Sequence, residues 1–236
     1  MVDFLKQTLG GLIVSCYTAE EQNPEFNQPH AMAALARSVE AGGAAGIRIN
    51  TKWLATFKQN TKLPLMAIEK VFKGQEMRIT PTLKEVEDIA NAGADAVAID
   101  ATQRSRFDDL TLEKFIRAIK DGFGLQVLGD ISILEEGVRG AEWGLDGVST
   151  TISGYTPYSP QFGKLGDIPP KEPDYQLILD LKKAISIPVI CEGRINTPEK
   201  AQKALESGAH AVVVGTAITN PQKITELFVG KIKGLY

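Results

Sequence analysis

The chain of 236 residues has few of the side chains that build metal centres and disulfide frameworks. It contains two cysteines, Cys16 and Cys191, and two histidines, His30 and His210. Two cysteines so far apart cannot form a disulfide framework or a four-ligand metal site. Two histidines also exclude a histidine-rich metal centre. We therefore expect no bound metal.

Long apolar runs and an excess of basic charge are also missing. No run of about 18 apolar residues is present, so the sequence predicts no membrane span. Lys and Arg number 26 against 29 Asp and Glu, and the net charge of −3 offers no basic field for nucleic acid. The first residues lack the basic start and cleavage site of a signal peptide. We expect a cytoplasmic protein that binds neither nucleic acid nor membrane.

The chain does contain a regular alternation of short apolar runs with segments of helical spacing. Eight runs, most of them rich in Val and Ile, are too short for helices and apolar on both faces, as strands of a covered parallel sheet are. These runs are 11–16, 45–50, 63–69, 94–100, 125–130, 146–151, 188–193 and 211–215. The predicted helices are 30–42, 82–93, 110–123, 133–144, 173–186, 197–208 and 221–233.

Eight β–α units predict a single α/β domain over residues 1–236, a (β/α)8 TIM barrel, which typically has about 250 residues. A doubly wound open sheet is the alternative. After Thr151, the end of the sixth strand, the chain continues for about 20 residues without periodicity, which is unusual in a compact domain. In a barrel this long loop lies on the catalytic face, as a substrate lid or as a surface loop packed by its own Tyr and Pro residues.

Polar residues end nearly every apolar run, and in a barrel these carboxyl ends of the strands meet at one rim. Four acids and two bases occupy those ends, more than solubility alone would supply: Glu69, Asp100, Asp130, Glu192, Arg48 and Lys70. We predict that Ser15, Asp100 and Thr151 contact a substrate at this rim.

The ends of the last two predicted strands indicate a phosphate site. Gly193-Arg194 leads into one helix, and Gly215-Thr216 precedes another. Glycine lets the backbone approach a ligand, and N–H groups at a helix start point at an anion. Barrels often bind phosphate at this place. The alternative is that both glycines are only turn residues.

Lys70 and Glu192 end strands on roughly opposite sides of the predicted ring. Such a pair suits the removal and return of a proton beside a carbonyl, and Arg48 could stabilise the enolate oxygen. Lys70 could instead be a Schiff-base lysine or a solvated loop residue. Glu192 could be a structural ion-pair partner of Arg48 or Arg194.

Eight segments, in order along the chain, resemble the N-acetylmannosamine-6-phosphate 2-epimerase family. They are GLIVSC at 11–16, GIRIN at 46–50, ITPTLKEV at 79–86, IDAT at 99–102, GDIS at 129–132, TTISGYT at 150–156, EGRINTP at 192–198 and VVGTAIT at 213–219. The likeness covers nearly the whole chain. The segments around Ser-Gly-Tyr-Thr and Glu-Gly-Arg-Ile are its most specific parts.

The resemblance implies a cofactor-free TIM barrel that interconverts N-acetylmannosamine 6-phosphate and N-acetylglucosamine 6-phosphate by proton exchange at C2, in sialic-acid degradation. It implies that Lys70 and Glu192 are the catalytic pair and that Arg48 and Asp130 assist them. It also suggests a homodimer, with a small phosphosugar as the ligand.

Three places on the predicted rim depart from the family pattern. The family usually has Gln where this chain has Tyr17, and Arg where it has Asn220. It usually follows the catalytic lysine with Arg-Asp-Tyr or Lys-Asp-Tyr, where residues 71–73 here read Val-Phe-Lys. Two further hypotheses therefore stay open: an isomerase acting on another phosphosugar, and a catalytically silent barrel that only binds one.

Overall fold

The computed structural model describes residues 2–17, 24–159 and 172–235, and eight of its strands close into a parallel barrel. The strands are β1 (Leu12–Ser15), β2 (Gly46–Asn50), β3 (Leu65–Ile68), β4 (Lys70–Lys73), β5 (Glu76–Ile79), β6 (Ala96–Asp100), β7 (Gln126–Asp130), β8 (Gly147–Ser149), β9 (Val189–Glu192) and β10 (Ala211–Val214). Around the ring their order is β1-β2-β3-β6-β7-β8-β9-β10. The predicted barrel is confirmed, and the open sheet is excluded.

Helices alternate with these strands. They are α1 (Phe4–Thr8), α2 (Pro29–Ala41), α3 (Leu54–Asn60), α4 (Leu83–Asn91), α5 (Leu112–Phe123), α6 (Leu134–Glu142), α7 (Tyr175–Ala184), α8 (Pro198–Glu206), α9 (Thr216–Thr219) and α10 (Pro221–Ile232). All seven predicted helices are present, each end within two residues of its prediction. None of the helices in the described ranges is long and apolar enough to cross a membrane.

Alternation of side chains along each strand decides which residues face the barrel interior. In β1, Val14 packs outward against the helices, and Ile13 belongs to a separate inner cluster. The inner cluster takes alternate residues from five other barrel strands as well, including Met66, Ala98, Leu128, Ile190 and Val213. Continued by two residues, the same alternation turns the polar strand ends towards the barrel axis.

A short N-terminal helix closes the bottom of the barrel. Phe4 and Leu5 of α1 are buried and join the inner cluster. A Cβ at Gly46 would lie 2.8 Å from Cγ2 of Thr8, so this strand start must be glycine for the helix to fit. Five residues are too few for helical periodicity to be recognised in the sequence, and α1 was not predicted.

The predicted third strand, 63–69, is shorter than expected and is followed by an unpredicted hairpin. β3 ends at Ile68, and Lys70 begins β4, which pairs antiparallel with β5. The hairpin returns to its starting point, where the Thr80 N–H donates to the Glu69 carbonyl at 2.6 Å. The Glu69 side chain accepts a hydrogen bond from the Thr51 N–H at 2.9 Å, so it has a structural partner at the rim.

The long loop after β8 begins as packed structure. A 3₁₀ turn, Thr150–Ile152, is followed by the fully buried Thr156, whose hydroxyl donates to Ser132 Oγ at 2.8 Å. The loop start is therefore held against the segment that follows β7. Residues 160–171, on which the lid prediction mainly depends, lie outside the described residues.

Candidate active site

One cation and two carboxylates meet inside the barrel below its mouth. The Arg48 guanidinium, from β2, donates from Nη1 and Nη2 to the two Asp130 oxygens at 3.0 and 2.6 Å. Arg48 Nη1 also donates to Glu192 Oε2 at 2.8 Å. The Arg48 and Asp130 side chains are 2% and 0% exposed, and Glu192 is 15% exposed. Arg48 therefore fixes both acids, and Glu192, the most exposed of the three, lines a cavity.

Two threonines complete this cluster. The Thr151 hydroxyl lies 2.6 Å from Asp130 Oδ1 and 3.1 Å from Glu192 Oε2. Because a hydroxyl has one proton, it can donate to only one of the two carboxylates at a time. Thr150 Oγ1 donates to the Glu192 carbonyl at 3.0 Å and accepts from its N–H at 3.1 Å. The backbone and the carboxyl of Glu192 are thus both fixed.

The surroundings of Glu192 shift the pKa of its carboxyl towards neutrality. Burial raises the pKa of Glu192 to about 7, against the opposing pull of Arg48. Asp130 raises this pKa further, and the Thr151 hydrogen bond and the Lys70 ammonium lower it. At neutral pH both protonation states are populated, so the carboxyl can accept a proton and return it.

Lys70 reaches the mouth from the opposite side. It lines a cavity of about 760 Å³ together with Arg78, Arg104 and Thr151. Glu192 lines a neighbouring cavity of about 640 Å³. Thr151 and Tyr155 line both cavities, so Lys70 and Glu192 face one divided space from two sides.

The predicted phosphate residues lie on the Glu192 side of that space. Its walls include Ser15, Gly193, Arg194, Gly215 and Thr216. The backbone turns sharply after β9, where Gly193 has a φ of 107° and Arg194 a φ of 61°. Only glycine adopts the first of these values easily, so Gly193 is required by the turn itself.

The Arg194 side chain forms hydrogen bonds with the loop after β8. Its Nε donates to the Glu172 carbonyl and its Nη1 to the Ser153 carbonyl, both at 2.7 Å. The guanidinium thus ties two distant parts of the chain together. The predicted phosphate role of Arg194 therefore rests on its backbone N–H group.

Asp100 lies close to the cluster of Arg48, Asp130 and Glu192 but belongs to a separate set of interactions. It pairs in register with Asp130 on the adjacent strand. Its Oδ1 accepts from the Thr102 N–H and hydroxyl at 3.1 and 2.6 Å, and its Oδ2 pairs with Arg104. A contact between Asp100 and a substrate stays a prediction.

The departures from the family pattern have different surroundings. Asn220 is fully buried, and its side chain caps α10 by accepting from the Lys223 N–H at 3.0 Å. Phe72, on the hairpin, is 63% exposed. Tyr17 is 9% exposed, and its ring centroid lies 4.2 Å from Lys70 Nζ. The placement of Tyr17 could have been found from the sequence, because it is two residues beyond the inward-facing Ser15.

In the part of the chain that the structure describes, no three His, Cys, Asp or Glu side chains are grouped to hold a metal ion. Acidic side chains of the site form ion pairs with arginines: Asp130 and Glu192 with Arg48, and Asp100 with Arg104.

Comparison with known proteins gives a consistent result. A family model described as "Putative N-acetylmannosamine-6-phosphate epimerase" matches residues 32–234. The chain belongs to this epimerase family. A relative from Caldanaerobacter subterraneus with the corresponding 2-epimerase description is 43% identical over 98% of this chain and 95% of its own length.

Structural comparison supports the same epimerase family. The solved N-acetylmannosamine-6-phosphate 2-epimerase from Clostridium perfringens superimposes with a TM-score of 0.87 and 40% identity, covering 97% of this chain and 96% of that one. A geranylgeranylglyceryl phosphate synthase from Thermoplasma acidophilum, 17% identical with a TM-score of 0.56, shares the fold alone. This epimerase-family chain is therefore similar to its relatives over nearly its whole length.

Proposed function

We propose that this protein interconverts N-acetylmannosamine 6-phosphate and N-acetylglucosamine 6-phosphate, the reaction for which its relatives are named. The observation that carries the proposal is the convergence of Lys70 and Glu192 on one divided space, with the pKa of Glu192 raised by burial to about 7. The full-length similarity to the epimerase family supports the choice of substrate.

The chemistry follows from the position of C2 in the substrate. In the open-chain sugar, C2–H lies beside the C1 carbonyl, so removal of the proton gives an enolate that reprotonation on the other face converts into the epimer. Two acid–base groups on opposite faces perform both steps. By microscopic reversibility, the group that acts as base for one epimer acts as acid for the other. Lys70 and Glu192 take these two roles.

Arg48 and Asp130 act mainly on Glu192 in this proposal. Arg48 donates to both carboxylates and is 2% exposed, so it orients the Glu192 carboxyl and limits the rise of its pKa. The Arg48 positive charge also favours the negative enolate across a short distance of low dielectric. Asp130 holds the guanidinium in place through two parallel hydrogen bonds.

The substrate phosphate is proposed to bind at the ends of β9 and β10. Gly193, Arg194, Gly215 and Thr216 line the cavity that Glu192 lines, and we propose that their backbone N–H groups hold the phosphate there. Oriented backbone N–H groups of this kind favour a bound anion. Ser15 lies on the same wall, and the Thr219 hydroxyl donates to its carbonyl at 3.0 Å, which holds α9 against β1.

Solvent-deuterium exchange tests the function directly. The purified protein is incubated in D₂O with N-acetylmannosamine 6-phosphate, and deuterium at C2 of both epimers is measured by NMR. We expect incorporation during epimerisation. Exchange only with another sugar phosphate would assign a different substrate, and no exchange with any would indicate a silent binder.

A second candidate, an isomerase of another phosphosugar, is favoured by Tyr17 and Asn220. Losing a hydrogen bond to a charged group costs about 1.5–3 kcal/mol, so the missing family arginine at position 220 should weaken phosphate binding. If Asn220→Arg tightens binding of N-acetylmannosamine 6-phosphate in calorimetry, the contact was simply lost. Because Asn220 is buried and caps α10, circular dichroism and thermal unfolding of the variant are the folding controls. Unchanged or weaker binding in a variant that keeps the wild-type fold and stability would favour the second candidate.

Covalent chemistry at Lys70 is the remaining alternative mechanism. A Schiff base with the substrate carbonyl would be trapped as a covalent adduct by borohydride. Since proton exchange needs Lys70 only as an acid and base, we expect mass spectrometry to find no adduct at Lys70 after borohydride treatment with substrate.

We further propose that the protein works without a cofactor, in the cytoplasm, as a homodimer. Epimerisation changes no oxidation state, so two acid–base groups suffice. Several apolar side chains are exposed on α10 and the residues after it, an arrangement typical of an interaction surface: Leu227, Phe228, Ile232 and Leu235. Light scattering after size exclusion would give the mass in solution, and a monomer would contradict this part of the proposal.

A further inference from the structure

We propose that Tyr17 is a positioning residue for Lys70, and that its aromatic ring holds the lysine ammonium over the barrel mouth. The inference rests on the function proposed above, because it gives Lys70 a task that depends on its placement. The observation is the stacked contact itself, with Lys70 Nζ 4.2 Å from the centroid of the Tyr17 ring.

The position of Tyr17 follows from the alternation of β1. Ile13 faces the inner cluster, Val14 and Cys16 face the helices, and Tyr17 again belongs to the inner cluster. The Cys16 N–H donates to the Arg48 carbonyl at 2.9 Å, so the pairing of β1 with β2 continues beyond the strand as assigned. The ring is 9% exposed and is therefore fixed by its neighbours.

Lys70 reaches that ring from a backbone that is also fixed. It continues the inward alternation of Met66 and Ile68, and it pairs with Ile79 across the β4–β5 hairpin. Ile79 is itself part of the inner cluster. The four-carbon side chain of Lys70 is intrinsically flexible, with conformational freedom that its backbone lacks, and its ammonium is a compact charge.

An aromatic face restricts that freedom in a way that suits the proposed reaction. The ring quadrupole attracts a cation lying over it, and the attraction grows when the pair is shielded from water. The attraction acts on the charge as a whole, so an ammonium lying over the ring still has an N–H bond that points away from it. Tyr17 therefore positions Lys70 in a way that is compatible with proton transfer at C2.

A matched contact on the outside of the barrel provides the control. Lys203 Nζ lies 4.3 Å from the centroid of the Tyr175 ring, at the surface between α7 and α8. This pair has the same chemistry and nearly the same distance, but it lines neither of the two cavities at the mouth. Removing its ring should leave turnover unchanged.

The kinetic test compares Tyr17→Phe, Tyr17→Leu and Tyr175→Leu with the wild type. Loss of the ring at position 17 should lower kcat about 5- to 30-fold with a smaller change in KM, because a misplaced acid–base group slows chemistry more than binding. Tyr17→Phe keeps the ring and should stay within about twofold of the wild type. Wild-type kcat in Tyr17→Leu, or an equal loss in Tyr17→Phe, would overturn the proposal.

A second measurement needs no activity. In protein labelled with ¹³C-lysine, the ε-methylene signal of Lys70 is assigned by its disappearance in Lys70→Arg. Ring current from Tyr17 should move this signal upfield of exposed lysines in the wild type and in Tyr17→Phe, and not in Tyr17→Leu. The same signal position in all three would overturn the contact. An upfield signal in a protein that exchanges no deuterium would retain the contact and overturn the proposed function.

Discussion

Asp100 and Asp130 end neighbouring strands in the same register, and both project towards the barrel axis, yet they belong to different systems. Asp100 is held by residues close to it in sequence, because Thr102 donates two hydrogen bonds to it and Arg104 neutralises its charge. Asp130 is held by Arg48, which lies 82 residues away on another side of the ring. The first acid belongs to a local turn, and the second belongs to a cluster that spans the interior.

This difference shows how two acids at equivalent strand ends acquire different surroundings. Alternation along the strands turns both side chains inward. The two acids differ in which part of the chain supplies the cation that pairs with them. Asp100 pairs with Arg104, which lies on the loop directly after it, so the interactions of Asp100 stay within one turn. The shared cation Arg48 couples Asp130 to Glu192, so the charge of one carboxylate affects the pKa of the other.

The largest expected effect is on turnover. Lys70→Ala and Glu192→Gln should each lower kcat by about 10²–10⁴-fold, the usual contribution of an acid–base group. Asp100→Asn should keep kcat within about tenfold of the wild type, because its carboxylate is engaged by the local turn. Steady-state kinetics with circular dichroism as a folding control checks all three. Near-normal turnover in Lys70→Ala or Glu192→Gln would remove that residue from the mechanism.

The second effect is on stability. Arg48→Met leaves two buried carboxylates without their cation and should cost about 3–5 kcal/mol of unfolding free energy. Arg104→Met should cost about 1–3 kcal/mol, because Asp100 keeps both Thr102 hydrogen bonds. Urea unfolding at pH 8 measures both values. Equal losses of unfolding free energy in Arg48→Met and Arg104→Met would contradict this prediction, because the shared cation would then stabilise the fold no more than the local one.

The third and smallest effect concerns pH. The pKa of Glu192 is raised from 4.5 to about 7 in the folded state, so folding favours its protonated form. The contribution of Glu192 protonation to the free energy of unfolding is complete below pH 4.5 and is lost as pH rises through 7. The total loss is up to about 3 kcal/mol. Unfolding free energies from pH 5 to 8 should therefore fall less in Glu192→Gln than in the wild type.

Much of the secondary structure and the polar rim could be predicted, because both depend on short-range sequence patterns. The alternation of apolar runs with helical spacing predicted every barrel strand and seven of the helices, and strand ends predicted the polar rim. The hairpin and three helices, α1, α3 and α9, were not predicted, since elements of four to seven residues have too little periodicity to be recognised. Arg194 shows a further limit, because its position after β9 could not reveal that its guanidinium holds the loop after β8.

The sequence by itself determined the barrel, its order of elements and which side chains end its strands, because backbone geometry and period-two alternation act within a few residues. Only the tertiary structure decided the partners of those side chains. Arg48 lies 82 residues from Asp130 and 144 from Glu192 along the chain, and only closure of the ring brings them within hydrogen-bond distance. The same closure desolvates Glu192 and raises its pKa, because burial depends on how all eight strands pack together.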